Sequence, residues 1–164
     1  MDRTKRETIE GWIDKASNQL LAAKQHLKSF RYSEAIEDAQ ECVELSVKSI
    51  LSLLGIKYSP SHEWAPERKE FAYIAKQIQQ RQLLDKLAKQ HLTIPLPRLL
   101  FLMNFWGQFY IRAKYGFEAG HLASARDLFR KEEAELSVRH AEECYGAASQ
   151  LRYLDGDKLA ALFL

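Results

Sequence analysis

Apolar residues recur at helical spacing along the first third of the chain and predict two long helices. The first set steps by four and three residues in alternation, which predicts a helix from about Thr4 to Ser29. The second set predicts a helix that begins with Ser33 as its N-cap and stops at Gly55. Because only about three residues separate the two helices, we expect an antiparallel hairpin. The apolar sets are Ile9, Ile13, Ala16, Leu20, Ala23, Leu27 and Phe30 for the first helix, and Ile36, Ala39, Val43, Val47, Ile50 and Leu54 for the second.

The remainder of the chain is also predicted to be helical. Pro97 suits the first turn of a helix that is apolar on almost every side and ends near Lys114. Such a helix must be covered by its own bundle or by a second subunit. No repeat or flexible linker interrupts the pattern, so we predict a single all-α domain over 1–164. We expect it to be an antiparallel up-and-down bundle of four or five helices with a short helical insertion. The helices predicted after Gly55 span about 66–80, 83–91, 98–114, 125–129 and 131–154.

Composition and charge narrow the choice of partners. A chain of 164 residues has the size of one domain, and its formal net charge of +2 is too small to indicate a general nucleic-acid binder. The charge is nevertheless unevenly placed, since seven Lys/Arg and only two Asp/Glu lie between Arg68 and Arg98. This basic section is either a solvated helix surface or a surface that receives an acidic partner or RNA.

Nothing in the sequence indicates secretion or membrane insertion. The N-terminus MDRTKRETIEG is charged and lacks the apolar core of a secretory signal. The longest uncharged stretch, Leu99–Ile111, has 13 residues, whereas a membrane helix needs about 17–25. Cys42 and Cys144 form no metal-binding motif, and we expect them to be buried thiols in a reducing compartment. The protein is therefore expected to be cytoplasmic, without membrane contact.

A series of landmarks along the chain resembles the HEPN domain family. The stretch from Trp12 to Gly55 resembles the opening helical hairpin of that family. A Tyr-Gly step at 115–116, followed by an acidic final helix, resembles its closing part. The resemblance covers most of the chain except the basic section near 68–97, and it places His62 where the family usually has a histidine. The landmarks of the opening hairpin are Trp12, Ala16, Tyr32, Ala35, Gln40, Glu44 and Lys48.

Three polar residues of the second predicted helix form a candidate site. Gln40, Glu44 and Lys48 lie at i, i+4 and i+8, so they form one row beside the apolar stripe. Such a row either fixes the register of the bundle or lines a cleft for a nucleotide or a partner. The candidate residues of that cleft are Gln40, Glu44, Lys48, His62, Arg112, Lys114 and Tyr115.

The ribonuclease signature of the family is missing from the sequence. Active HEPN ribonucleases resemble one another in an Arg that is followed, after four to six residues, by a His. This pair supplies a cation for the scissile phosphate and an imidazole for proton transfer. None of the eleven arginines has a His at that spacing, and the nearest pair, Arg112 and His121, is separated by eight residues. We therefore assign no catalytic residue, and in the absence of metal-ligand spacing we assign no metal and no cofactor.

The resemblance implies an accessory or binding module associated with a nucleotide or RNA. It also implies a homodimer, and a minimal nucleotidyltransferase as partner in a toxin–antitoxin-type pair. The apolar Leu99–Ile111 helix, with the C-terminal LAALFL strip, is the expected dimer interface. Two alternatives remain open. One is a purely structural homodimer, and the other is a metal-independent endoribonuclease with an atypical site made of Arg112, Lys114, Tyr115 and His121.

Overall fold

The computed structural model describes residues 3–58, 68–109, 113, 116 and 124–163. Of these residues 81% are helical and none lies in a strand, which confirms the predicted all-α class. The helices are α1 (Arg3–Lys28), α2 (Tyr32–Leu53), α3 (Arg68–Gln80), α4 (Leu83–Lys89), α5 (Leu96–Gly107), α6 (Ala125–Leu128), α7 (Lys131–Arg152) and α8 (Gly156–Ala161).

The four helices that form the body of the bundle, α1, α2, α5 and α7, run alternately up and down. Lys15 of α1 is 2.6 Å from Glu41 of α2, and His26, further along α1, is 2.7 Å from the earlier Asp38. Residue numbers therefore increase along α1 while those of the contacting residues in α2 decrease. The first hairpin is antiparallel, as predicted. The contacts that set the other directions are Lys24–Glu142 and Asp14–Arg152 for α1 with α7, and Arg98–Glu143 and Trp106–His140 for α5 with α7.

Helix α2 is the centre of the bundle, since it contacts α1, α5, α6 and α7. Three of its large side chains are completely buried, namely those of Ile36, Ile50 and Leu51. Burial of each such side chain is worth about 1.5–3 kcal/mol relative to exposure. The apolar spacing that predicted the helix therefore also places its buried face at the middle of the core.

The end of α2 is set by Gly55. This residue has a φ of +63°, and its N–H donates to the carbonyl of Ser52 at 3.1 Å. The N–H of Ile56 reaches back to the carbonyl of Leu51 at 2.8 Å. These two bonds form a Schellman motif, in which a left-handed residue satisfies the last carbonyls of the helix. The predicted stop at Gly55 is confirmed.

The predicted start of α2 is wrong by two residues. The helix begins at Tyr32 after Arg31, whose carbonyl accepts from the N–H of Ala35 at 3.0 Å. Ser33 lies inside the first turn, where it is buried and its hydroxyl donates to Glu34 at 2.9 Å. Because its hydroxyl bonds a side chain and not a backbone N–H, Ser33 is not an N-cap.

Helix α5 is displaced from its predicted span of about 98–114. It begins at Leu96, with Pro97 in its first turn as expected, and it ends at Gly107. The N–H of Phe109 then bonds the carbonyl of Trp106 at 2.9 Å, a tighter i→i+3 turn. Glycine disfavours the helix interior, and an all-round apolar pattern carries no periodic signal of where a helix stops.

The predicted helical insertion is the α3–α4 hairpin, and the C-terminal α8 packs near it. Asp155 caps α8 by accepting from the N–H of Lys158 at 2.7 Å. In the C-terminal LAALFL strip, Leu159 and Leu162 are buried within the chain itself. Of the described residues of the strip, Phe163 is the large apolar one that keeps substantial exposure. Leu159 and Leu162 are therefore part of the domain core, whereas Ala160, Ala161 and Phe163 remain exposed.

Candidate functional site

The α2 row, made of Gln40, Glu44 and Lys48, is linked by hydrogen bonds from end to end. The Lys48 ammonium donates to Oε1 of Glu44 at 2.6 Å, and the Gln40 amide donates to Oε2 at 3.1 Å. Both oxygens of the carboxylate therefore accept a bond from a neighbour one turn away. This arrangement sets the direction of the carboxylate and, through it, that of the ammonium group.

The α2 row is largely withdrawn from water. The side chains of Lys48 and Glu44 are only 11% and 17% exposed, and Gln40 is buried. Ion pairs on protein surfaces are worth little, but a pair at this depth is costly to break, because the remaining charge stays in a medium of low polarity. Since α2 also contacts α1, α5, α6 and α7, the row is held on the most constrained helix of the domain.

The α2 row holds three of the seven candidate cleft residues. His62, Arg112, Lys114 and Tyr115 lie outside the described residues, as does His121 of the alternative ribonuclease site. Ala113, between two of these positions, is described and is buried in the core. The predicted cleft is therefore represented by the α2 row alone.

A second polar cluster, between α5 and α7, escaped the sequence analysis. The guanidinium of Arg98 donates through Nε and Nη2 to the two oxygens of Glu143, at 2.5 and 3.0 Å. Nearby, Nε1 of Trp106 donates to Nδ1 of His140 at 3.0 Å. Partial burial, with the charge of Arg98, lowers the pKa of His140, which favours the neutral ring that accepts this bond. The partners are more than thirty residues apart, so no spacing rule could find them.

This α5–α7 cluster does bring an arginine and a histidine near each other, but it does not reproduce a ribonuclease pair. Glu143 holds the Arg98 guanidinium through both of its oxygens, so the charge is already neutralised. His140 uses Nδ1 to hold the indole of Trp106. The cluster therefore fastens α5 to α7.

Aromatic side chains follow α5 along the protein surface. Phe101 is 60% exposed and stacks on the half-buried Phe105, with ring centroids 6.1 Å apart. Phe105 meets Phe109 edge to face at 5.2 Å. We call Phe101, Phe105 and Phe109 the α5 aromatic strip. The neighbouring Trp106 is buried. One side of α5 therefore faces the core, and the side with the aromatic strip is partly exposed to solvent.

Metal and thiol chemistry find little support in the part of the chain that the structure describes. No three His, Cys, Asp or Glu residues of that part come together as a metal site. Cys42 and Cys144 are free and buried, as predicted. Burial raises the pKa of the Cys42 thiol to about 12 and also raises that of Cys144, so both stay protonated and unreactive near neutral pH. No helix among the described residues is long and apolar enough to cross a membrane.

An all-α bundle with a central helix that carries a buried polar row is the class of protein that these observations define. A family model for the HEPN domain matches residues 9–151, from α1 through the α3–α4 insertion to the last turn of α7. The chain therefore belongs to the HEPN domain family, whose members are nucleotide- or RNA-associated modules. Comparison with curated proteins and with solved structures gave no significant match.

Proposed function

We propose that this HEPN domain is a binding module for RNA or a nucleotide and that the α2 row contacts the ligand. The observation that carries the proposal is the charged pair of Glu44 and Lys48, held by hydrogen bonds and largely withdrawn from water. Such a pair pays a desolvation penalty that an apolar pair of similar size avoids, so its presence favours a specific role. An ammonium group has three N–H donors and can contact a phosphate oxygen while it holds a carboxylate.

The proposed module binds its ligand without cutting it. The family's Arg…His spacing is absent from the sequence, and Arg98, an arginine whose charge acts on His140, is engaged by Glu143. A neutral imidazole without a cation placed for phosphate lacks half of the chemistry that RNA cleavage by this family requires.

Binding is tested by fluorescence anisotropy with a labelled single-stranded RNA and a labelled ATP. The test variant is Glu44→Met/Lys48→Met, which removes both charges together and leaves neither one buried alone. Loss of one charge-assisted hydrogen bond predicts an affinity lower by about 10- to 100-fold. The matched control is Lys24→Met/Glu142→Met, which removes an exposed ion pair between α1 and α7 and should leave the affinity unchanged.

Each outcome of this binding test has a distinct meaning. Equal affinity in both variants would remove the α2 row from the binding site, and absence of any binding by the natural chain would end the proposal. The RNA should remain intact on a denaturing gel. Cleavage that disappears in Arg112→Ala or His121→Ala would instead support the endoribonuclease alternative.

We also propose that the module is a homodimer and that a minimal nucleotidyltransferase is its partner in a toxin–antitoxin-type pair. The α5 aromatic strip supports the dimer, because Phe101 is exposed and stacks on the partly buried Phe105, and exposed aromatic surface is typical of protein interfaces. Sedimentation velocity should give a dimer at micromolar concentration, and Phe101→Glu should split it without loss of helicity. A monomeric natural chain would contradict the dimer. Failure to co-purify with a nucleotidyltransferase encoded by a neighbouring gene would contradict the partner.

A further inference from the structure

Helix α3 exposes a line of polar and aromatic side chains that the α2 row does not include. Lys69, Tyr73, Lys76 and Gln80 follow one another at intervals of four, three and four residues, so they lie along one side of the helix. All four are exposed, Tyr73 to 47%. Ile78, on the opposite side of α3, is buried. We call these four exposed residues the α3 ridge.

The α3 ridge lies in the most basic part of the domain. From Arg68 to Lys89 there are six Lys/Arg and two Asp/Glu. Among the described residues, none of the lysines of α3 and α4 is in an ion pair. Within the described part of the domain no ion pair neutralises these charges, and they create a positive potential around the ridge.

The hairpin that carries the α3 ridge is tied to the bundle by side chains on its other side. The amide of Gln77 donates to the carbonyl of Lys57 and accepts from its N–H, both at 2.9 Å. Arg81 donates to the carbonyl of Leu162 at 3.2 Å and lies over the ring of Phe163, 5.3 Å from its centroid. Arg81 is thus used for attachment, while Lys69 and Lys76 point to water. The ridge is presented on a fixed support.

The acidic residues of a second copy are poor candidates to cover the α3 ridge. Helix α7 has the densest set of glutamates in the chain, but most of them already have a partner in the same chain. Their partners are the backbone N–H of Arg130 for Glu133, Lys131 for Glu135, Lys24 for Glu142, and Arg98 for Glu143.

We propose that the α3 ridge binds single-stranded nucleic acid. Lys69 and Lys76 contact phosphates, and Tyr73 between them stacks on a base. The two lysines are separated along the helix by about 10 Å, the length of about three stacked nucleotides. A flat ring between two cations favours nucleic acid over an acidic protein segment, because every base offers a face for stacking. The inference takes only its ligand class from the proposed function, since the residues are different ones.

The test measures anisotropy of a labelled oligouridine of about 20 nucleotides over a range of salt concentrations, with the full chain. Lys69→Gln/Lys76→Gln should weaken binding about tenfold at low salt. It should also reduce the slope of log affinity against log salt by about 1.4, or about 0.7 per lost phosphate contact. Tyr73→Ala should weaken binding at least about fivefold with little change in that slope. The matched control, Lys5→Gln/Lys28→Gln, removes two exposed α1 lysines that have no ion pair and should have less than a twofold effect.

The outcomes separate this inference from the proposed function. If the ridge variant and the α1 control lose the same amount of affinity, binding depends on the general positive charge of the domain and not on the ridge. That result would overturn the inference. Competition by a polyglutamate peptide at the same charge concentration would indicate an acidic protein partner and would also overturn it. If Glu44→Met/Lys48→Met abolishes binding and the ridge variants do not, the α2 row is part of the binding site and the proposal for the α3 ridge is wrong. The reverse pattern supports the α3 ridge and excludes the α2 row from the binding site. Circular dichroism should show unchanged folding in all the ridge variants.

Discussion

Replacement of Lys48 by methionine is expected to lower the free energy of unfolding by about 2–4 kcal/mol. The substitution removes the ammonium group that lies 2.6 Å from the Glu44 carboxylate, in a position where the Glu44 side chain is only 17% exposed. The loss of one partner of a fully buried pair costs about 3–5 kcal/mol, and the remaining access to water reduces that cost. Chemical denaturation followed by circular dichroism measures the change.

The double variant Glu44→Met/Lys48→Met distinguishes charge pairing from simple packing. Since it removes both charges, it should be less destabilised than Lys48→Met alone, and the mutant cycle should give a coupling energy of at least about 1 kcal/mol. Lys24→Met, at an ion pair whose side chains are 40% and 48% exposed, should change stability by less than about 1 kcal/mol. Additive single effects at Glu44 and Lys48 would show that the two residues act independently.

Gly55→Ala is expected to destabilise the domain by about 1–3 kcal/mol. The residue has a φ of +63°, a conformation that alanine adopts only with strain. A Cβ at this position would also overlap the ring of Phe163, which lies directly against the glycine. The expected loss of stability therefore combines local backbone strain with a steric clash against Phe163, near the C-terminus. Thermal and denaturant unfolding both report it.

Gly11→Ala is the matched control for this substitution. Gly11 lies on the exposed side of α1 with no atom near the position of an added Cβ. The change should stabilise the helix by about 0.5–1 kcal/mol. In a Phe163→Ala background, Gly55→Ala should lose the steric part of its effect and keep the backbone part. An unchanged penalty in that background would show that the ring moves aside without cost.

The long amphipathic helices were predictable because their signal is local. The predicted bounds of the first and last long helices lie within about two residues of α1 and α7. The predicted end of α5 near Lys114 is wrong, since an apolar residue at nearly every position leaves no polar face whose end marks the helix end. The assignment of Ser33 as an N-cap is also wrong, because the preference of a residue type for N-caps is overridden when the backbone of Arg31 already starts the helix.

The α2 row and the α5–α7 cluster show the same limit for functional residues. Gln40, Glu44 and Lys48 belong to one helix, so spacing alone predicted a common row, and hydrogen bonds link them. Their role in ligand binding remains a prediction. Arg98 and Glu143 belong to two helices whose contact depends on the packing of the whole bundle, so spacing could not pair them.

By itself, the sequence determined the helical class, the first hairpin, the stop at Gly55 and the resemblance to HEPN domains. The first three depend on neighbours within a few turns, where backbone geometry leaves few choices, and the resemblance depends on the order of landmarks along the chain. Only the tertiary structure decided that Leu159 and Leu162 belong to the core, that Phe163 covers Gly55, and that Lys69 and Lys76 project from a hairpin attached on its other side. These contacts join residues far apart in the chain. Their existence depends on which surfaces the assembled helices remove from water, and that is a property of the complete fold.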